Sequence, residues 1–152
     1  MKLSIITITK NLIKSHRQYK FVKTFLSVVR NFENCNFQAE YILVDSISID
    51  NTQELFNKLI KKYHKRLKID VKIILQSDEN IYDAFNKSIK YAKGEYILFL
   101  NSDDILLKNN FNLIIKNTFN YQKDINVFST IFYSEKQNLQ NKKFKPMIND
   151  YL

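Results

Sequence analysis

Gly94-Glu95-Tyr96-Ile97-Leu98-Phe99-Leu100-Asn101-Ser102-Asp103-Asp104 joins the only glycine of the chain to its most hydrophobic short run and then to a polar, acidic end. Tyr96–Leu100 is solidly apolar, with no period-two alternation, as expected of a strand covered on both faces. Leu3–Thr9, Tyr41–Val44 and Val71–Leu75 read the same way, and Val127–Phe132 reads as a fifth strand.

Between these runs the period changes to that of a helix. Phe21, Phe25, Val28 and Phe32 recur at steps of four, three and four, and Leu55, Phe56, Leu59, Ile60 and Tyr63 form a second apolar face. Asn51 and Glu54 resemble an N-cap and its N3 partner. Tyr82, Phe85, Ile89 and Ala92 mark a third helix, with Gly94 expected at the left-handed position that stops it. Phe111, Ile114, Ile115 and Phe119 mark a fourth. Alternating strands and helices predict a three-layer α/β/α sandwich around a mainly parallel sheet. One domain is expected over residues 1–133. Residues 134–152, rich in Lys, Asn and Gln around Pro146, read as an irregular tail or a region cut short.

Composition narrows the chemistry. One glycine among 152 residues, against the roughly 7% of average usage, leaves no room for a Walker loop or a G-x-G-x-x-G turn. A chain of this length buries about 68–70% of its unfolded surface, enough for a core, and 12 Phe and 9 Tyr supply large apolar area. Cys35 stands alone, so an intramolecular disulfide is excluded and a cytoplasmic setting is expected. No signal-peptide pattern is visible at the start, and no apolar stretch approaches 18 residues. His16 and His64, expected at exposed Lys-rich helix positions, make no zinc set with one cysteine. Cys35 reads as a loop or helix-end residue and not as a nucleophile.

The formal charge is +9, and Lys58, Lys61, Lys62, Lys65, Arg66 and Lys68 crowd the end of the second helix. A solvated helix end explains such a run, since cations suit the negative dipole terminus. Contact with an anionic membrane is the functional alternative. No nucleic-acid-binding motif accompanies the charge, so no nucleic-acid partner is expected.

In open parallel sheets ligands bind beyond the carboxyl ends of the strands. The first strand delivers Thr7, Thr9, Lys10 and Asn11 there, and the second delivers Asp45, Ser46, Ser48 and Asp50. Ser77, Asp78 and Glu79 follow the third, and Asn101, Ser102, Asp103 and Asp104 follow the fourth, so an acidic rim is expected. Adjacent carboxylates suit Mg²⁺ or Mn²⁺ shared with substrate phosphates. They equally suit the start of a helix, and spacing alone leaves both readings open.

Four blocks carry a resemblance. Ser4-Ile5-Ile6-Thr7-Ile8-Thr9-Lys10-Asn11 and Tyr41-Ile42-Leu43-Val44-Asp45 resemble the opening of the family 2 glycosyltransferases with the GT-A fold. Ser48-Ile49-Asp50-Asn51-Thr52 resembles their D-G-G-S-T-D-G-T loop, read from Asp45. Asp78-Glu79-Asn80-Ile81-Tyr82-Asp83-Ala84-Phe85-Asn86-Lys87-Ser88-Ile89 is similar to their D-x-G-I-Y-D-A-M-N-x-G-I block. Ala92 to Asp104 is similar to their A-x-G-x-Y-I-x-F-L-N-S-D-D block.

The resemblance implies transfer of a sugar from a nucleoside-diphosphate donor, with UDP expected, to a saccharide or lipid-linked acceptor, with inversion. It implies that Asp45 accepts the N3–H of a uracil-like base and that Thr9 and Asn11 line the base pocket. Asp83 would lie near base and ribose, and Asn86 would hold the loop. Asn101, Ser102 and Asp103 take the place of the D-x-D motif. Asp103 would coordinate Mn²⁺ or Mg²⁺, with Asp104 in support. The setting implied is bacterial surface polysaccharide or lipopolysaccharide assembly at the inner face of the cell membrane. No general base is identified, since Glu135 and Asp150 have no recognisable context. A catalytically silent relative that binds a nucleotide sugar or a protein partner is the alternative. Ser46, Ile47, Asn51, Asn80 and Ser88 stand where the family has glycine, and β-branched Ile47 is expected either to reshape its loop or to strain it.

Overall fold

The structure, a computed structural model, describes residues 2–34 and 37–107. Four parallel strands, β1 (Lys2–Thr9), β2 (Gln38–Asp45), β3 (Asp70–Leu75) and β4 (Tyr96–Phe99), lie side by side in the order β3-β2-β1-β4. The helices α1 (Gln18–Phe32), α2 (Thr52–Tyr63) and α3 (Ile81–Ser88) connect them, and a single 3₁₀ turn, Ile89–Tyr91, follows α3.

The layers follow from connection handedness. Right-handed crossovers place α1 and α2, which step the chain outward from β1 to β3, on one face of the sheet. The third crossover reverses direction to reach β4 and so places α3 on the other. Side-chain contacts agree. Phe25 of α1 meets Tyr41 at 6.0 Å between ring centres, Phe21 meets Phe56 of α2 at 5.1 Å, and Tyr41 Oη donates to Thr7 Oγ1. Ile6, Ile8, Ile42 and Val44 alternate to the opposite face and pack under Ala84 of α3. The expected sandwich is therefore present in the described residues. The expected fourth helix and fifth strand, the 133/134 boundary and Cys35 lie outside them.

Burial divides the strands. β1 and β2 are buried along almost their whole length, whereas β3 is half-buried and β4 alternates between half-buried and exposed positions. The apolar run that led to the prediction is thus less covered than expected, since β3 and β4 are the outer strands among those described. On α1 the expected stripe is correct, with Phe21, Phe25, Val28 and Phe32 fully buried.

Several local expectations need correction. Gly94 has no positive φ, and the helix before it ends through its 3₁₀ turn. Its requirement for glycine is steric: a Cβ would stand 2.5 Å from the Ser4 nitrogen and 2.8 Å from the Leu3 carbonyl carbon. On α3 the buried positions are Ala84 and Ser88, one residue away from the expected face. Tyr82 is 76% exposed and Ile89 is exposed as well. The helix is only two turns long, and its 3₁₀ continuation rotates the later residues away from the 3.6 period. Asn51 occupies the N-cap position of α2 without a side-chain capping bond; Asp50 Oδ1 accepts from the Thr52 amide at 3.0 Å instead, and Glu54 pairs with Lys58. His16 is exposed but lies in a turn with φ 55°, not on a helix.

Of the five positions that lack a family glycine, only Ile47 is left-handed, with φ 48°. A β-branched residue held there carries strain of about 1–2 kcal/mol, the cost of placing Cβ against the following carbonyl.

Candidate active site

The order in which strands join the sheet reverses between β1 and β4, and a crevice opens there beyond the carboxyl ends of the strands. It is a cleft of about 490 Å³. Ile8, Thr9 and Lys10 from the end of β1, Ser46 after β2, and Asp78 to Ile81 between β3 and α3 line it, together with Asn101, Ser102 and Asp103 after β4, and Arg17. The expected acidic rim is in fact mixed, because Lys10 and Arg17 face Asp78, Glu79 and Asp103 across one opening. Of the residues named from the sequence, Thr9, Asn101, Ser102 and Asp103 are among those lining this cleft.

Asp45 ends β2 in register with Thr9 and is fully buried. Its Oδ1 accepts from the Ser48 amide at 3.1 Å and from the Ser48 hydroxyl, while its Oδ2 is buried with no hydrogen-bond partner. A buried carboxylate oxygen left unpaired is costly; Asp45 itself does not line the cleft, although Ser46 beside it does. Asp78 Oδ2 is likewise buried without a hydrogen-bond partner.

Asn11 has a different occupation. At φ 50° its Oδ1 accepts from the Ile49 amide at 2.9 Å, and its own amide donates to Ser48 Oγ at 2.7 Å. It ties the loop after β1 to the loop after β2 and is not among the residues lining the cleft. Lys14 N donates to Asp50 Oδ2 at 2.8 Å, and Leu12 N donates to Thr52 Oγ1 at 2.9 Å. Burial opposes ionisation of Asp50, but donation from the Lys14 amide and from the Thr52 hydroxyl and amide outweighs it and holds the carboxyl below its usual range.

The loop after β3 is built from its own polar side chains. Asn80 Oδ1 accepts from the amides of Tyr82 and Asp83, both at 3.0 Å, which caps α3. Asp83 Oδ2 accepts from the Glu79 amide at 3.0 Å and pairs with Lys87 at 2.6 Å. Lys87 and that amide hold the Asp83 carboxyl below its usual range. Asp83 thus shapes the loop that carries Asp78, Glu79 and Asn80 into the cleft. Asn86 is exposed, and among the described residues Lys87, bonded to the Ser77 carbonyl, and Gln76, bonded to the Ala84 carbonyl, fasten this loop.

Beyond β4, Asn101 Nδ2 donates to Asp104 Oδ2 at 2.9 Å. This bond orients the turn and leaves Asp103 exposed in the cleft. No group of three acidic, His or Cys side chains converges tightly enough among the described residues to cage a metal. Asp103 is the exposed carboxylate of this turn that could hold a hard cation completed by substrate phosphate and water.

Sequence reasoning did not single out Arg17. Its Nη2 donates to the Lys10 carbonyl at 2.9 Å and its Nε to Ser15 Oγ at 3.0 Å, which anchors the guanidinium at the cleft. One signal was available: the chain has arginine only at 17, 30 and 66, against many lysines.

A parallel sheet with its ligand crevice at the reversal of strand order defines an α/β binding domain, here of the GT-A type. The chain belongs to glycosyl transferase family 2, whose description matches residues 4–151. No curated protein matches it significantly. Among solved structures it is similar to S. aureus TarS, with TM-score 0.60 and 23% identity over 86% of this chain and 21% of that one. A TarS 1–349 structure in complex with UDP-GlcNAc gives TM-score 0.62 and 24% identity over 82% and 33%. The mannosyltransferase PcManGT of Pyrobaculum calidifontis, in complex with GDP-Man and Mn²⁺, gives 0.59 and 16% over 76% and 32%. The chain spans about a third or less of the length of these proteins.

Proposed function

We propose that this chain is the donor-binding domain of a glycosyltransferase that moves a sugar from a nucleoside diphosphate, UDP by preference, to a saccharide or lipid-linked acceptor with inversion. The observation that carries the reading is the pairing of buried Asp45, with one oxygen unclaimed, and the exposed Asp103 of the cleft. A carboxylate acceptor at Asp45 suits the N3–H of a uracil-like base, and Thr9 and Ser46 flank it. Lys10 and Arg17 supply positive charge for a diphosphate. Asp103 would hold Mn²⁺ or Mg²⁺, which when bound neutralises charge on the leaving diphosphate. Asp104 acts on that site through Asn101.

Similar structures are complexes with UDP-GlcNAc, with UDP, and with GDP-Man and Mn²⁺, and this supports a nucleotide-sugar donor. The setting we propose is assembly of a bacterial surface polysaccharide or lipopolysaccharide at the inner face of the cell membrane. The test is a thermal-shift titration with UDP, UDP-sugars and GDP-sugars, with and without Mn²⁺. Stabilisation by UDP that grows with Mn²⁺ is expected; no shift with any nucleotide would sink the reading. Transfer, or hydrolysis of the donor, must then be measured directly to separate an active enzyme from a silent binder.

A further inference from the structure

We infer that the loops after β1 and β2, on one side of the cleft mouth, form a docking surface for an anionic lipid membrane, distinct from the lysine-rich end of α2. The inference rests on the glycosyltransferase reading only for the identity of the cleft that it turns toward the lipid.

Topology bears first on the basic run at the end of α2. That helix runs antiparallel to the strands and ends just before β3 begins, so Lys61 to Lys68 sit at the amino ends of the strands. The cleft lies at the opposite, carboxyl end. A membrane bound through α2 would face away from it.

The carboxyl end has its own lipid-facing chemistry. Ile47 is 55% exposed and Ile49 is 78% exposed. They are not loose, since the Asn11 carboxamide and the Asp45 and Asp50 carboxylates pin their loop by hydrogen bonds. Ile47 is held at φ 48° in this rigid loop, an arrangement that neither core packing nor backbone preference explains. A fixed pair of outward isoleucines is suited to entering the apolar boundary of a bilayer.

Charge supplies the second half. Besides Lys10 and Arg17 of the cleft, the segment to Lys23 carries Lys14, Lys20 and Lys23, with no Asp or Glu. This segment adjoins the Ile47–Ile49 loop through the Asn11–Ile49 and Lys14–Asp50 bonds. The first turn of α1 has no acidic residue, so cations gather at the positive end of its dipole, where they do not help the helix. Tyr19, 64% exposed, adds an interfacial aromatic side chain. Each such cation near an anionic leaflet strengthens binding by about fivefold. Cations interleaved with exposed apolar side chains match phosphate headgroups over acyl chains.

The test is co-sedimentation of the full chain with vesicles of phosphatidylcholine alone or mixed with phosphatidylglycerol, at low and raised salt. Binding only to the anionic vesicles, weakened by salt, is expected. The pair Lys14→Glu and Lys20→Glu should weaken it at least about twentyfold. Ile47→Asn with Ile49→Ser, a pair that relaxes the left-handed backbone and so preserves folding, should also weaken it. Lys61→Glu with Lys62→Glu should leave it unchanged. The UDP-dependent thermal shift should persist in all three, so that failure of lipid docking and failure of the donor site read separately. No vesicle binding, binding indifferent to the rim variants, or loss confined to the α2 pair would each overturn the inference.

Discussion

The Gly94 amide donates to Ser4 Oγ at 2.8 Å, joining residues ninety positions apart where β4 is brought alongside β1. The approach is so close that no side chain fits, and this contact sets the register that places Asn101 to Asp103 beside Thr9. Gly94→Ala should therefore lower stability by about 2 kcal/mol or more, because the added methyl meets backbone that cannot yield. Urea melts of the variant check this, and Ser4→Ala should cost less.

Glu40 is fully buried in β2, yet it accepts from Lys72 Nζ at 2.6 Å, Ser4 Oγ at 2.7 Å and the Lys93 amide. Burial alone would raise its pKa; these bonds outweigh burial and hold it at about 2. A lowered folded pKa means that the stabilisation is complete above the unfolded value of about 4.5 and is lost as pH falls from there toward 2. Thermal melts between pH 6 and pH 2 should show this loss, and Glu40→Gln should flatten it while destabilising the protein at pH 7 by roughly 2 kcal/mol.

Relief of strain predicts the opposite sign at Ile47. Ile47→Asn should raise stability by about 1 kcal/mol, since Asn tolerates the left-handed region that a β-branched residue resists. A higher melting temperature is the readout.

Asn80 caps α3 with two amide bonds. Asn80→Ala should cost about 1 kcal/mol and loosen the loop that carries Asp78 and Glu79. Hydrogen exchange of the Tyr82 and Asp83 amides reports it.

At the donor site the two carboxylates should separate. Asp45→Asn is expected to weaken UDP binding by tenfold or more with or without Mn²⁺, the scale of one charged hydrogen bond. Asp103→Ala should remove only the Mn²⁺-dependent part. Calorimetric titration distinguishes the two.

Much of this protein was legible in its residues. Apolar runs ending in Thr9, Asp45 and Asn101 predict parallel strands and the edge where a ligand binds, because a strand covered on both faces is mostly apolar and the chain turns polar where it leaves the sheet. The α1 stripe was legible because a long helix keeps a steady period; the short α3 was misread by one position for lack of that length. Arg17 and Asn80 acquire their places only through loops that fold back on themselves, a geometry local spacing does not encode.

The single glycine marks the division. Its scarcity alone excludes a glycine-cradled phosphate site, since that chemistry needs several bare backbone positions. What Gly94 itself does was decided by tertiary structure. Beside a lysine-rich helix end it reads as a left-handed stop, but the nearness of Ser4 in space, and not its own φ, is what forbids a side chain. The same holds for the missing glycines: composition counts them, but only the folded backbone shows that Ile47 alone bears the strain.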